Sequence, residues 1–152
     1  MAVKIVRTAS AHWTGGLRDG KGAISLESGA MKDYPYGFAS RFEGQKGTNP
    51  EELLGASHAG CFTMALSLIL GEAKLTATEM STTAKVSLEQ VEGGFAITAS
   101  HLTLRAKIPG TDQKTFEEVL GKRGVRRANF ANRAVQVPND LDEIIKAIEV
   151  YS

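Results

Sequence analysis

The one cysteine of the 152-residue chain, Cys61, lies in the apolar run HAGCFTMALSLIL and is the residue best suited to chemistry. His58 and Ser57 precede it by three and four residues, so on a helix both would lie within one turn of the thiol. The small residues Ala59 and Gly60 would leave room for a ligand beside the sulfur. Free cysteine is also among the most frequently buried residue types. These residues alone therefore leave two interpretations open, a nucleophile and a core residue.

The three histidines are weaker candidates for a functional site than Cys61. His12, His58 and His101 lack the ligand spacing of a zinc site, so we expect no metal and no cofactor. A Cys–His hydrolase is disfavoured because residues at i and i+3 seldom give in-line geometry and no third orienting residue is evident. We expect His58 to fill the helix face beside Cys61. The glycines of GGLRDGKG do not match a phosphate-binding loop and predict a hairpin turn.

Composition and charge are those of an ordinary soluble globular protein, with 42% hydrophobic and 23% charged residues. The net charge of +1 favours neither nucleic acid nor a membrane surface as a partner. We expect neither a signal peptide nor an apolar stretch of membrane-spanning length. One cysteine allows no intramolecular disulfide, which suits the reducing cytoplasm. The expected location is therefore cytoplasmic.

Hydrophobic periodicity and turn signals predict an α+β fold with the element order β-β-β-α-β-β-α. Three strands are predicted before the central helix, at residues 3–14, 20–27 and 35–43. After it, residues 82–91 and 95–108 are predicted to form a hairpin around EGG, and residues 112–121 a short helix. No repeat or linker interrupts the chain, which predicts a single domain over residues 1–152.

The central helix is predicted from Asn49 to about residue 72. Asn49 can cap it, Pro50 suits its first position, and Glu52 completes a capping-box pattern. Residues 61–70 are apolar on nearly every face. That distribution predicts a helix buried under a sheet and against a partner subunit.

Several segments resemble one known family. NPEELLGASHAGCFTMALS is similar to the signature helix of the OsmC/Ohr family, the osmotically inducible and organic hydroperoxide resistance proteins. AHWTGGLRDGKG, PYGFASRFEGQKGTNPEELLGA and VEGGFAITASHLTLRAKIPG resemble the OsmC branch, and the resemblance covers about residues 9–120. It implies an intertwined homodimer in which two extended sheets enclose a pair of central helices. It also implies a thiol peroxidase site at the subunit interface.

The same resemblance implies three catalytic residues, Cys61, Arg41 and Glu51. A thiolate attacks an organic hydroperoxide, releasing an alcohol and leaving a sulfenic acid. A fixed guanidinium near the sulfur raises the thiolate fraction, and a carboxylate can hold that guanidinium in place. An apolar wall around the thiolate would favour alkyl hydroperoxides through burial of the alkyl chain.

Helix geometry limits how these residues can meet. Glu51 and Cys61 are ten residues apart, which is about 15 Å along one continuous helix. Either the helix breaks near Gly55, or Glu51 and Arg41 belong to the other subunit. Without the resemblance, Arg41 and Glu51 would be interpreted as a solvated surface pair.

The resemblance is lost after about residue 121. The family's second, resolving cysteine would fall near Arg127 or Asn129, where the chain has none. Leu141, Ile144, Ile145 and Ile148 instead follow helical spacing after a possible cap at Asn139. With one cysteine, an external thiol or dithiol must regenerate the enzyme. The alternative is a non-catalytic stress protein or apolar-ligand-binding dimer that has lost turnover.

Overall fold

The computed structural model describes residues 4–123 and 148–151. Its elements follow the order β-β-β-α-α-β-β-α-β, which confirms the α+β class. The chain divides into two compact units, Met1–Leu53 and Leu54–Ser152. The single domain stays a prediction.

In the first unit, three antiparallel strands form a sheet: β1 (Ala9–Thr14), β2 (Lys21–Leu26) and β3 (Tyr34–Tyr36). The predicted turn between β1 and β2 is confirmed. Gly15 has a φ of +86°, and the N–H of Gly20 donates to the carbonyl of Gly16 at 2.9 Å. The first strand begins at residue 9 rather than residue 3.

The prediction of a strand over residues 35–43 was wrong for most of that segment. After the short β3, the chain forms α1 (Phe38–Phe42). Phe38 and Phe42 are four residues apart, and their ring centroids lie 4.8 Å from each other. These aromatic residues therefore follow helical spacing, although aromatic residues are typical of strands.

The long helix α2 (Pro50–Glu72) has the predicted bounds. Its cap is confirmed, because Asn49 Oδ1 accepts the N–H of Glu52 at 2.8 Å. The helix is continuous across Gly55, so the break considered there is absent. It contains an 18-residue window of mean hydropathy 1.7, so the expectation of no apolar stretch of membrane-spanning length was wrong. Core helices of soluble proteins share this property, and one face of α2 packs in a protein core.

The second unit contains a hairpin of β4 (Glu79–Val91) and β5 (Gly94–Lys107). The helix α3 (Gln113–Arg123) follows, and β6 (Ile148–Tyr151) pairs in parallel with β5. Side chains from α2, from one face of β5, from the residue after β5 and from α3 form the core: Phe62, Leu66, Leu70, Leu102, Leu104, Ala106, Ile108 and Phe116. The hairpin and α3 are confirmed, with ends that differ from the predicted ones by at most three residues.

The predicted C-terminal helix is wrong at Ile148, which begins β6. Parallel pairing with β5 satisfies backbone groups of this segment. The rest of that prediction, from Asn139 to Ile145, and the positions of Arg127 and Asn129 lie outside the described residues.

Candidate active site

A bidentate ion pair joins Arg41 in α1 to Glu51 in the first turn of α2. Arg41 Nε lies 3.1 Å from both carboxylate oxygens, and Nη2 lies 2.6 Å from Oε1. The Glu51 side chain is only 12% exposed, whereas that of Arg41 is 35% exposed. Fork geometry of this kind fixes the plane of the guanidinium. The two residues are therefore not a fully solvated surface pair.

Aromatic side chains lie next to the guanidinium of Arg41. Its guanidinium carbon lies 5.2 Å from the centroid of the Phe42 ring, within range of a cation–π interaction. A cavity of about 180 Å³ adjoins Arg41, and its apolar lining comprises Trp13, Leu17, Tyr36, Phe38, Phe42 and Pro50. An apolar cavity of about 150 Å³ is large enough to hold benzene. The space beside Arg41 therefore fits a small hydrocarbon group.

Cys61 lies on an exposed part of α2. The thiol is therefore not part of the core of its own chain. The apolar stripe, which we define as Cys61, Met64 and Leu68, follows helical spacing, and Met64 and Leu68 are 73% and 66% exposed. The thiol thus lies in a row of exposed apolar side chains.

His58 lies on the buried face of the same helix. Its Nδ1 is 2.8 Å from Ser100 Oγ in β5, and burial lowers the pKa of the imidazole. The residue therefore fills the helix face toward the hairpin, as expected. Since His58 is buried against β5 while Cys61 is exposed, the arrangement does not favour a Cys–His hydrolase.

The structure brings two of the three predicted site residues together, Arg41 and Glu51. Because α2 is unbroken, Glu51 and Cys61 remain about 15 Å apart along its axis. Of the two arrangements considered, a broken helix is excluded, and a site shared between subunits stays a prediction. Over residues 4–123 and 148–151, no group of three or more His, Cys, Asp or Glu side chains could hold a metal ion.

Sequence reasoning missed the aromatic residues around Arg41. Because the sequence pattern predicts a strand at Phe38 and Phe42, it does not predict a cavity between α1 and the sheet. The helical spacing of the two phenylalanines on either side of Arg41 was the signal that could have found it.

The fold and site define an α+β protein with a single exposed thiol and a carboxylate-held guanidinium. Residues 43–132 match the family model described as OsmC-like protein, and the chain belongs to this family.

Curated relatives support this assignment along most of the chain. The chain is 54% identical over 118 residues to peroxiredoxin OsmC of Escherichia coli (strain K12), covering 78% of this chain and 82% of that protein. It is 33% identical over 123 residues to an organic hydroperoxide resistance protein of Xanthomonas axonopodis pv. citri (strain 306), covering 78% and 81%. Among solved structures, the organic hydroperoxide resistance protein OhrB of Bacillus subtilis matches with a TM-score of 0.57 and 26% identity, over 95% of this chain and 98% of that chain.

Proposed function

We propose that this protein is a thiol peroxidase that reduces organic hydroperoxides to alcohols through Cys61. The position of the thiol outside the core of its own chain is the observation that carries the proposal, because a nucleophilic sulfur must be reached by its substrate. Relatives named peroxiredoxin and organic hydroperoxide resistance protein support the same reaction.

The reaction begins when the Cys61 thiolate attacks the terminal oxygen of the hydroperoxide. An S–O bond forms, the O–O bond breaks, and the alkoxide takes a proton and leaves as an alcohol. The sulfur is oxidised to sulfenic acid, and the peroxide is reduced. In this proposal, the guanidinium of Arg41 stabilises the thiolate and the charge that develops on the leaving oxygen, while Glu51 holds the guanidinium.

The site is shared in a homodimer, with Arg41 and Glu51 of one subunit acting on the thiol of the other. Two observations support this arrangement. The unbroken α2 separates Glu51 from Cys61 within one chain, and the apolar stripe around Cys61 is largely exposed in the single chain. Exposed apolar surface of this kind is typical of an interaction site.

The aromatic cavity beside Arg41 holds the organic group of the substrate. Its volume of about 180 Å³ suits a group of phenyl size, such as that of cumene hydroperoxide. Burial of the hydrocarbon stabilises the complex by about 25 cal/mol per Å², a contribution that hydrogen peroxide lacks. The cavity therefore favours organic hydroperoxides.

Regeneration depends on an external thiol, because the chain has a single cysteine. A first thiol attacks the sulfenic acid, forming a mixed disulfide and water. A second thiol then releases the Cys61 thiol and the oxidised reductant. A cytoplasmic location supplies such thiols, whereas excess peroxide without them oxidises Cys61 to sulfinic acid.

Consumption of cumene hydroperoxide in the presence of dithiothreitol tests the proposal. We expect turnover by the wild-type protein and none above background by Cys61→Ser. The competing candidate, a ligand-binding dimer without turnover, is favoured by the missing resolving cysteine. It predicts binding of cumyl alcohol to both proteins and equal, background-level peroxide consumption.

A further inference from the structure

The helix that carries Arg41 is too short to be stable by itself. The helix α1 has five residues, and none of them is buried. Isolated helices shorter than about 12 residues are marginal in water. The guanidinium of Arg41 nevertheless makes a bidentate contact with Glu51 on a different helix. Contacts outside α1 must therefore contribute to holding it.

The hydroxyl of Ser40 connects α1 to the loop that precedes α2. Its oxygen accepts the N–H of Gly37 at 2.9 Å. The same hydroxyl can donate to the carbonyl of Thr48 at 2.8 Å, which is nearer than the carbonyl of Gly37 at 3.1 Å. Gly47 has a φ of +147°, and a Cβ placed there would lie 2.9 Å from Ser40 Cβ. The loop therefore passes close against Ser40, and a larger residue at position 47 would push it away.

The next residue, Thr48, connects this loop to α2. It is 2% exposed, and its N–H donates to the carbonyl of Pro35 at 2.9 Å. Its hydroxyl donates to the Glu52 carboxylate at a distance of 2.5 Å. Hydrogen bonds to a charged acceptor are short and about twice as strong as neutral ones. The first turn of α2 is therefore tied to the loop through Thr48.

We infer that Ser40, Thr48 and Glu52 form a positioning latch that sets Arg41 against Glu51, an inference that rests on the proposed peroxidase function. Ser40 precedes Arg41, and Glu52 follows Glu51, so each end of the latch adjoins one member of the ion pair. The latch acts through the ion pair and not on the peroxide. Its loss lets the guanidinium move, and a shift of about 1 Å at a reacting group can cost up to a hundredfold in rate.

Replacement of Thr48 by Val tests the latch, because valine keeps the shape and removes the hydroxyl. We expect the reaction of Cys61 with cumene hydroperoxide to slow about tenfold. The pH profile of Cys61 alkylation should shift in the direction that Arg41→Ala produces. Thr48→Ser restores the hydroxyl and should restore both readouts. Thr78→Val is the control for loss of a threonine hydroxyl away from the latch, because the exposed Thr78 hydroxyl donates to the Lys107 carbonyl at 3.2 Å in the other unit.

A second measurement separates the latch from the peroxidase proposal. The Nε–H resonance of Arg41 in ¹⁵N NMR reports the ion pair directly, whether or not the protein reacts with peroxide. We expect the resonance to be protected from exchange in wild type and in Thr48→Ser, and to exchange faster in Thr48→Val.

Each outcome bears on one of the two proposals. An inert wild-type thiol would refute the peroxidase while the NMR comparison still decides the latch. An unchanged Nε–H resonance in Thr48→Val would overturn the latch. The latch would also be overturned if Thr48→Val merely lowers the melting temperature and Thr48→Ser fails to restore the Cys61 profile, since that pattern indicates a purely structural role.

Discussion

Two leucines on opposite faces of α2 provide a sharp test of the proposed dimer. Leu66 is 1% exposed and packs in the core, whereas Leu68 is 66% exposed on the apolar stripe. Leu66→Ala should reduce the free energy of unfolding by about 2–5 kcal/mol through lost burial and a cavity. Leu68→Ala should act mainly on association, because its side chain contributes little to the core of one subunit.

The effect of Leu68→Ala follows from the surface that remains to be buried. Full burial of a leucine side chain is worth about 1.5–3 kcal/mol, so the exposed two thirds represents roughly 1–2 kcal/mol. A symmetric dimer contains the substitution twice, which gives about 2–4 kcal/mol, or a 30- to 1,000-fold rise in the dissociation constant. Sedimentation velocity over a dilution series measures this change. A wild-type protein that stays a folded monomer at micromolar concentration, or an association constant unaffected by Leu68→Ala, would refute the reasoning.

The remaining predictions concern the thiol and pH. Arg41→Ala should slow alkylation of Cys61 by iodoacetamide at neutral pH and move its pH profile toward that of an ordinary thiol. Arg7→Ala, at an exposed arginine, is the control. The same alkylation profile in wild type and in Arg41→Ala would contradict the role of Arg41. One equivalent of cumene hydroperoxide should give a dimedone-trappable sulfenic acid at Cys61, and excess should give sulfinic acid by intact mass spectrometry; a Cys61-linked disulfide dimer as the main product would count against the single-thiol mechanism. Because burial lowers the pKa of His58 below its ordinary 6.5, the unfolded state binds more protons just below that pH, so stability should fall as pH drops below about 6.5. The urea midpoint of unfolding should fall in this way in wild type and fall less in His58→Gln. If the midpoint has the same pH dependence in both proteins, groups other than His58 are responsible.

Local signals in the sequence were sufficient to predict the helix that carries the thiol and the hairpin that packs against it. The N-cap at Asn49 and the proline after it determine where α2 begins, because they satisfy and shape its first turn whatever packs around it. The hairpin is marked by its glycine turn, where Gly93 and Gly94 have positive φ values that other residues rarely adopt. The resemblance of the α2 segment to the OsmC/Ohr signature helix is likewise a property of the residues themselves, and it is the reason for predicting that Cys61 is a nucleophile rather than a core residue.

Tertiary structure decided the features that depend on distant partners. Residues 61–70 of α2 are apolar on nearly every face, so the sequence pattern did not reveal that Leu66 faces the core and Leu68 faces outward. Packing against the β4–β5 hairpin determines which of the two is buried. The segment Phe38–Phe42 has strand-forming residues but becomes helical, because a short segment has little intrinsic preference and its tertiary contacts, such as that of Ser40 with Thr48, outweigh it. The ion pair of Arg41 with Glu51 also depends on tertiary structure. The loop between α1 and α2 brings the two residues together, and their separation in the sequence does not predict that contact.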